Sequence, residues 1–184
     1  VRIIASDMVA EVCSIYVRRA GEVLELFATQ GLKPNAVHQT RLKFGEGIVG
    51  DIAIKARAFA LAEAQEHPNF AYRPETGEEI YHSMMGVPVL RGGRVVGVIA
   101  VQNRTQRNYT DEEIETLQTV AMVLAELIAG GDLFRITDGT DIDPETVRPV
   151  RLEGLMLNPG IGMGQAVLHV SDFHIEELVG DDPD

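Results

Sequence analysis

The chain has one cysteine, Cys13, and no tryptophan among its 184 residues. A lone thiol cannot close a disulfide within the chain, so nothing here calls for an oxidising compartment, and the cytoplasm is the expected location. Cys13 lies inside an apolar run, where burial raises a thiol's pKa unless a cation is near, so packing is expected of it rather than nucleophilic chemistry. Basic charge is scarce: 16 Lys and Arg against 28 Asp and Glu leave −12 at neutral pH. Such a surface repels polyphosphate backbones and no Lys/Arg cluster interrupts it, which argues against nucleic acid and anionic membranes as partners. Long hydrophobic runs are missing too. The longest, Val95 to Val101, falls far short of the roughly 18 residues that a membrane span needs, and no charged-then-apolar leader opens the chain.

Catalytic constellations are equally sparse. His38, His67, His82, His169 and His174 are scattered, and none pairs with a Cys, Asp or Glu at the helical spacing of a metal site, so no metal is expected in this chain. No Gly-x-Ser-x-Gly elbow occurs, and no catalytic residue is assigned. The run "FGEGIVGDIA" from Phe44 is rich in glycine, yet a phosphate-binding loop needs Lys and Ser or Thr directly after its glycines, and Gly50 is followed by Asp51 and Ile52. A dinucleotide fingerprint needs a parallel strand-helix-strand unit, and the flanking runs read as hairpins. Gly45, Gly47 and Gly50 are therefore read as a turn that lets a helix lie close on a sheet. Gly160, Gly162 and Gly164 are read as a structural turn as well.

What the chain does have is hairpin grammar. Residues 1–10 read as the end of a helix, and "EVCSIYVRR" and "EVLELFATQG" as two strands joined through Ala20-Gly21. Glu46 to Lys55 reads as a short helix and "AFALAEA" as a strand. "SMMGVPVL" and "RVVGVIAVQN" flank Arg91-Gly92-Gly93 as a second hairpin. Both of its strands are apolar at nearly every position, which predicts a sheet covered on both faces by helices. Thr110 and Glu113 form a capping box, and Ile114, Leu117, Ala121, Leu124 and Ile128 follow at helical steps. Val120, Val123 and Leu127 widen the apolar surface, which predicts dimerisation through this helix and the first one. The expected organisation is an α+β domain over 1–134, a linker over 135–150 and the start of another domain over 151–184. That last stretch carries 7 acids and 1 base, half of the net charge.

Between the middle strands runs "EAQEHPNFAYRPETGEEIYHS", Glu63 to Ser83, a long polar loop of the kind that serves as a lid or binding loop. A small zwitterion beneath it would need a cation such as Arg73 for its carboxylate and an acid such as Glu63 for its ammonium, with Phe70 or Tyr72 excluding water. The candidate ligand-binding residues are Glu63, His67, Phe70, Tyr72, Arg73, Tyr81 and Ser83.

The order of the two hairpins, "FGEGIVGDIA", "ALAEAQEHPNF", "GVPVLRGGRVVGVIAVQN" and "YTDEEIETLQTVA" over residues 1–131 resembles a GAF domain. Within that family, "HPNFAYRPETGEEIYHSMMGVPV" is similar to the sensor domain of nitrogen-branch phosphoenolpyruvate-protein phosphotransferases, paralogues of enzyme I. "LEGLMLNPGIGMGQAVL" is similar to the opening of their phosphotransfer domain. The resemblance implies an antiparallel sheet of about five or six strands with helices on both faces, a regulatory pocket under the lid, and a homodimer. It implies that the full-length protein takes phosphate from phosphoenolpyruvate, with magnesium, onto a histidine and passes it to a phosphocarrier protein. None of the five histidines here has the setting of that residue, so the chain alone is not expected to be catalytic and holds no cofactor. Glutamine, as a report of nitrogen status, is the expected ligand. The alternative is a dimerisation scaffold with a vestigial pocket. The cyclic-nucleotide pattern of other GAF domains fails here because Asp111-Glu112 come too soon after Tyr109, and the methionine sulfoxide reductases of this fold need several cysteines.

Overall fold

In the computed structural model, which describes residues 1–130, the elements are α1 (Arg2–Asp7), β1 (Val12–Arg19), β2 (Val23–Gln30), β3 (Arg41–Lys43), α2 (Gly47–Lys55), β4 (Phe59–Leu61), β5 (Ser83–Arg91), β6 (Arg94–Asn103) and α3 (Asp111–Gly130). The hairpins set the sheet. β5 and β6 pair from Ser83 opposite Asn103 to Arg91 opposite Arg94. Their two-residue turn holds Gly92 at φ +54 and Gly93 at φ +74, left-handed values that a side chain resists and that match the twist of the strands they join. β1 and β2 form the other hairpin, and β1 lies antiparallel to β6, so the strand order is β3-β2-β1-β6-β5-β4. Every pairing in this six-stranded sheet is antiparallel. The fold is α+β, as the sequence predicts.

Both faces are buried, which is why the central strands read as unbroken apolar runs. Val12, Tyr16, Val98 and Ala100 enter one core, together with Ile48, Val49, Ile52 and Ala53 of α2. Their neighbours Cys13, Ile15, Val17, Ile99 and Val101 enter the other, against α1 and α3. Ile52, Val98, Ile99 and Leu117 have no exposed surface, and each contributes on the order of 2 kcal/mol by burial. α3 begins as its capping box requires. The Thr110 hydroxyl accepts from the Glu113 amide at 3.2 Å, and Glu113 Oε2 accepts from the Thr110 amide at 2.8 Å.

The short elements differ from the sequence reading. β3, read as loop, pairs Arg41, Leu42 and Lys43 with β2, and only Leu42 is buried. A strand with one apolar residue leaves no periodic signal. β4 stops at Leu61, where the chain turns into a 3-10 turn over Ala64–Glu66 and not into a longer strand. At the edge formed by β2 and β3, Glu25 is buried and accepts from Arg19, His38 and Arg41. Burial alone would raise its carboxyl, and these three partners hold it below the usual carboxylate range. The expected linker and phosphotransfer fragment, 135–150 and 151–184, lie outside the described residues. Among the described residues no helix is long and apolar enough to cross a membrane.

Candidate functional site

The glycine-rich turn and the 62–82 segment meet over the first sheet face. Gly50 sits so close to the turn before it that a Cβ there would lie 2.4 Å from the Lys43 carbonyl oxygen. The helix therefore folds tightly back on its own entry, a packing role for the glycine. The next residue, where a phosphate loop would carry its cation, is the buried Asp51. Its carboxylate accepts from Lys55 Nζ at 3.0 Å and from Asn69 Nδ2 at 2.9 Å, and Asn69 also donates to the Gly45 carbonyl at 3.2 Å. Asp51 thus anchors the lid to α2.

Further bonds hold the rest of the lid. Gln65 Nε2 donates to the carbonyls of Glu79 at 2.8 Å and Tyr81 at 3.1 Å. Lys33 donates from Nζ to the Pro74 carbonyl and from its amide to the Thr76 carbonyl, both at 3.0 Å. Arg73 Nη2 pairs with Glu46 Oε1, at the start of α2.

Beneath this lid lies a cavity of ≈ 20 Å³ whose polar lining is Tyr16, Thr40, Arg73, Thr76, Glu78 and Gln102, closed by Leu42, Ile48, Val49, Phe70 and Met84. That space takes about one or two water molecules. An open cleft of ≈ 630 Å³ lies outside it, between the 43–47 turn and Pro68 to Ala71. Gly47, Phe70 and Ala71 line both spaces and form the wall between them.

The electrostatics of the cavity are unusual for so small a space. Arg73 Nε is buried with no acceptor among the described residues. The Tyr16 side chain is 4% exposed, and burial, then Glu78 and Glu75, push its ionisation well above the ordinary phenol range. It stays a neutral hydrogen-bonding group. Burial lifts the Glu78 carboxyl to about 7, against the opposing effect of the Arg73 backbone and the Gln102 and Thr76 side chains. α2 starts without a side-chain cap, and its first residues, Gly47 to Val49, border the cavity, where first-turn amides lack helical partners. Arg73 and these amides suit a carboxylate; Glu78 suits a cation or, protonated, a second acceptor.

Of the seven residues singled out from sequence, the structure brings Phe70 and Arg73 to the cavity. Glu63 lies elsewhere, accepting from His82 Nδ1 at 2.8 Å and Gln106 Nε2 at 2.7 Å. His67 accepts from the Asn69 amide at 3.2 Å and packs edge-on to Phe59. Tyr72 is exposed. Tyr81 is buried in the same core, its hydroxyl donating to the Gly31 carbonyl at 3.0 Å. Ser83 donates to the Thr105 carbonyl at 2.8 Å and lies 3.3 Å from the hydroxyl of Tyr109, which belongs to the other core. The sequence reading missed Tyr16, Thr40, Thr76, Glu78 and Gln102. Tyr16 and Gln102 left a trace, as polar groups on strands otherwise apolar on both faces. Glu78 sits in an acidic run that reads as a solvated surface.

This fold matches the GAF domain family over residues 1–128, and the chain belongs to that family. Its likeness within the family is to phosphoenolpyruvate-protein phosphotransferases. The chain is 33% identical over 159 residues, 86% of its length, to a protein of the phosphoenolpyruvate-dependent phosphotransferase system of Escherichia coli. It spans about 20% of that relative. The GAF domain of such a phosphotransferase from Coxiella burnetii superposes with a TM-score of 0.67 at 33% identity, covering 72% of this chain and 80% of that one. The corresponding Acinetobacter domain gives 0.65 at 30% identity, with 74% and 81% covered.

Proposed function

We propose that this GAF domain is the regulatory sensor of a phosphoenolpyruvate-protein phosphotransferase, and that it binds a small α-amino acid, glutamine first, beneath the 62–82 lid. The observation that carries the reading is Arg73 Nε, a charged donor buried beside a polar cavity with no acceptor among the described residues. Leaving such a group unmade costs stability unless something occupies the place. A carboxylate satisfies Arg73 and the α2 amides, while an ammonium meets Glu78. A 2-oxoacid has no ammonium for ionised Glu78, and a dicarboxylic one would bring a second carboxylate among the acids there. Glu78 takes the role that the sequence reading gave to Glu63.

Because the cavity as it stands has room for no more than water, the ligand enters by moving the stretch from Phe70 to Glu78. Occupancy then modulates phosphoenolpyruvate-dependent autophosphorylation by further domains, where magnesium and a phosphocarrier protein act. The Escherichia coli alignment is longer than the 128 residues of the family match, which supports reading 151–184 as the start of such a domain.

Calorimetric titration of the 184-residue chain with glutamine tests this. Millimolar or tighter binding is expected, and Arg73→Ala should weaken it by about 10-fold or more, the loss of a charge-assisted bond. No heat with glutamine or any other amino acid would favour the second reading, a dimerisation scaffold with a vestigial pocket. The small cavity and the exposed Met122, Val123 and Leu127 speak for that one.

A further inference from the structure

The Arg73–Glu46 ion pair straddles the wall between cleft and cavity. Arg73 lines the cavity and Glu46 the cleft, with Gly47, Phe70 and Ala71 bordering both. The pair uses only part of what the guanidinium offers. Nη2 meets Glu46 Oε1 while Nε, on the same edge, has no acceptor among the described residues. That edge grips a carboxylate best through two parallel bonds. Glu46 does not supply the second one here: its other oxygen, Oε2, accepts from the Lys43 amide at 2.9 Å. The residue is fixed at the head of α2, where its backbone is extended. Glu46 therefore satisfies one donor of that edge and leaves the other open.

We propose that Glu46 is an internal competitor for the ligand's carboxylate: it latches the lid through Arg73 in the empty protein, and a ligand carboxylate displaces it by taking both Nε and Nη2. This rests on the sensor reading above. The latch is weak enough to yield. Its side chains are 32% and 37% exposed, and pairs that wet contribute little. The anchors on either side are independent of it. Asn69 is tied to Asp51 and Gly45, and Thr76 to Lys33. Release of the Arg73 side chain loosens Phe70 to Tyr72, which includes the gate residues Phe70 and Ala71, while Lys33 still holds Pro74 and Thr76 still holds the Arg73 carbonyl.

Glu46→Gln tests the latch, since its amide oxygen still accepts from Lys43. Glu79→Gln, which removes one charge from an exposed residue of the same segment, is the control. In the free 184-residue chain, amide exchange over 70–73 should quicken in Glu46→Gln and stay unchanged in the control. In calorimetry, Glu46→Gln should bind glutamine about 3- to 10-fold more tightly, the range that a weak ion pair allows. Glutaminamide, which lacks the carboxylate, should gain nothing from the substitution. Glu46→Asp, which keeps the charge but shortens its reach, should shift affinity and exchange in the same direction. Equal tightening by Glu46→Gln and Glu79→Gln would reduce the effect to net charge and overturn the proposal. So would unchanged exchange and affinity in Glu46→Gln beside a wild type that binds, an outcome that leaves the sensor reading intact. A wild type that gives no heat overturns both.

Discussion

Glu78 is the residue whose environment brings its ionisation into the neutral range. Its carboxyl is lifted to about 7 by burial beside the cavity. Between its ordinary value near 4.5 and about 7, the native state holds a proton that the unfolded chain has already lost. Folding is therefore favoured at the acid end of that window, and stability falls as pH rises through it. Above about 7 both states are ionised and the slope ends. The loss is at most about 3 kcal/mol. Urea midpoints for the wild type and Glu78→Gln check this: the wild type should lose stability relative to the variant between about pH 5 and about pH 7.5 and run parallel to it beyond. Parallel curves throughout would mean that Glu78 is hydrated and cannot serve as the cavity's acid. Arg73 was legible because a lone cation in an acidic loop stands out. Glu78 was not, since a sequence does not say which of several neighbouring acids turns inward.

Among the elements, the ones that announce themselves in sequence are those with length and caps. The β5–β6 hairpin carries its Gly92-Gly93 turn, and α3 carries Thr110 and Glu113. Both form as read. β4 forms within the run read as a strand and only its end at Leu61 departs from that reading, whereas β3, at three residues, exists because β2 offers an edge, which is a tertiary cause with no local pattern. The seven candidate residues divided for the same reason. All come from one segment or its ends, but the side of the lid from which each projects follows from anchors such as Asn69 on Asp51, set by α2 and not by the loop's own sequence. The cap on α3 can be tested directly. Thr110→Ala removes the acceptor for the Glu113 amide and should cost about 1 kcal/mol, lowering the melting temperature by about 4 °C for a domain of this size. Because α3 covers the face opposite the cavity, glutamine affinity should not change. A fall in affinity that matches the fall in stability would instead mean that α3 couples to the site.

At the scale of the whole molecule, the two sheet faces divide the work. The α2 face holds the cavity and its lid, while the face of α1 and α3 is packed with apolar side chains and still leaves others outside. Ile3, Val9 and Met122 are 70%, 75% and 70% exposed, and Val123 and Leu127 are 41% and 44% exposed. Val123 and Leu127 are one helical turn apart and so adjacent on α3. Scattered apolar residues on a monomer need no explanation, but several on the two helices of one layer fit a surface that a second copy covers. Among the described residues, the sheet then lies between the lid and the face that meets the partner. Replacing Val123 and Leu127 together by Glu puts two charges on that flank without touching either core. Sedimentation velocity at micromolar concentration should show a dimer for the wild type and a monomer for the double variant, with glutamine binding retained. A wild type that sediments as a monomer, or a double variant that stays dimeric, would place the apolar flank outside any self-association and leave its exposure to a different partner.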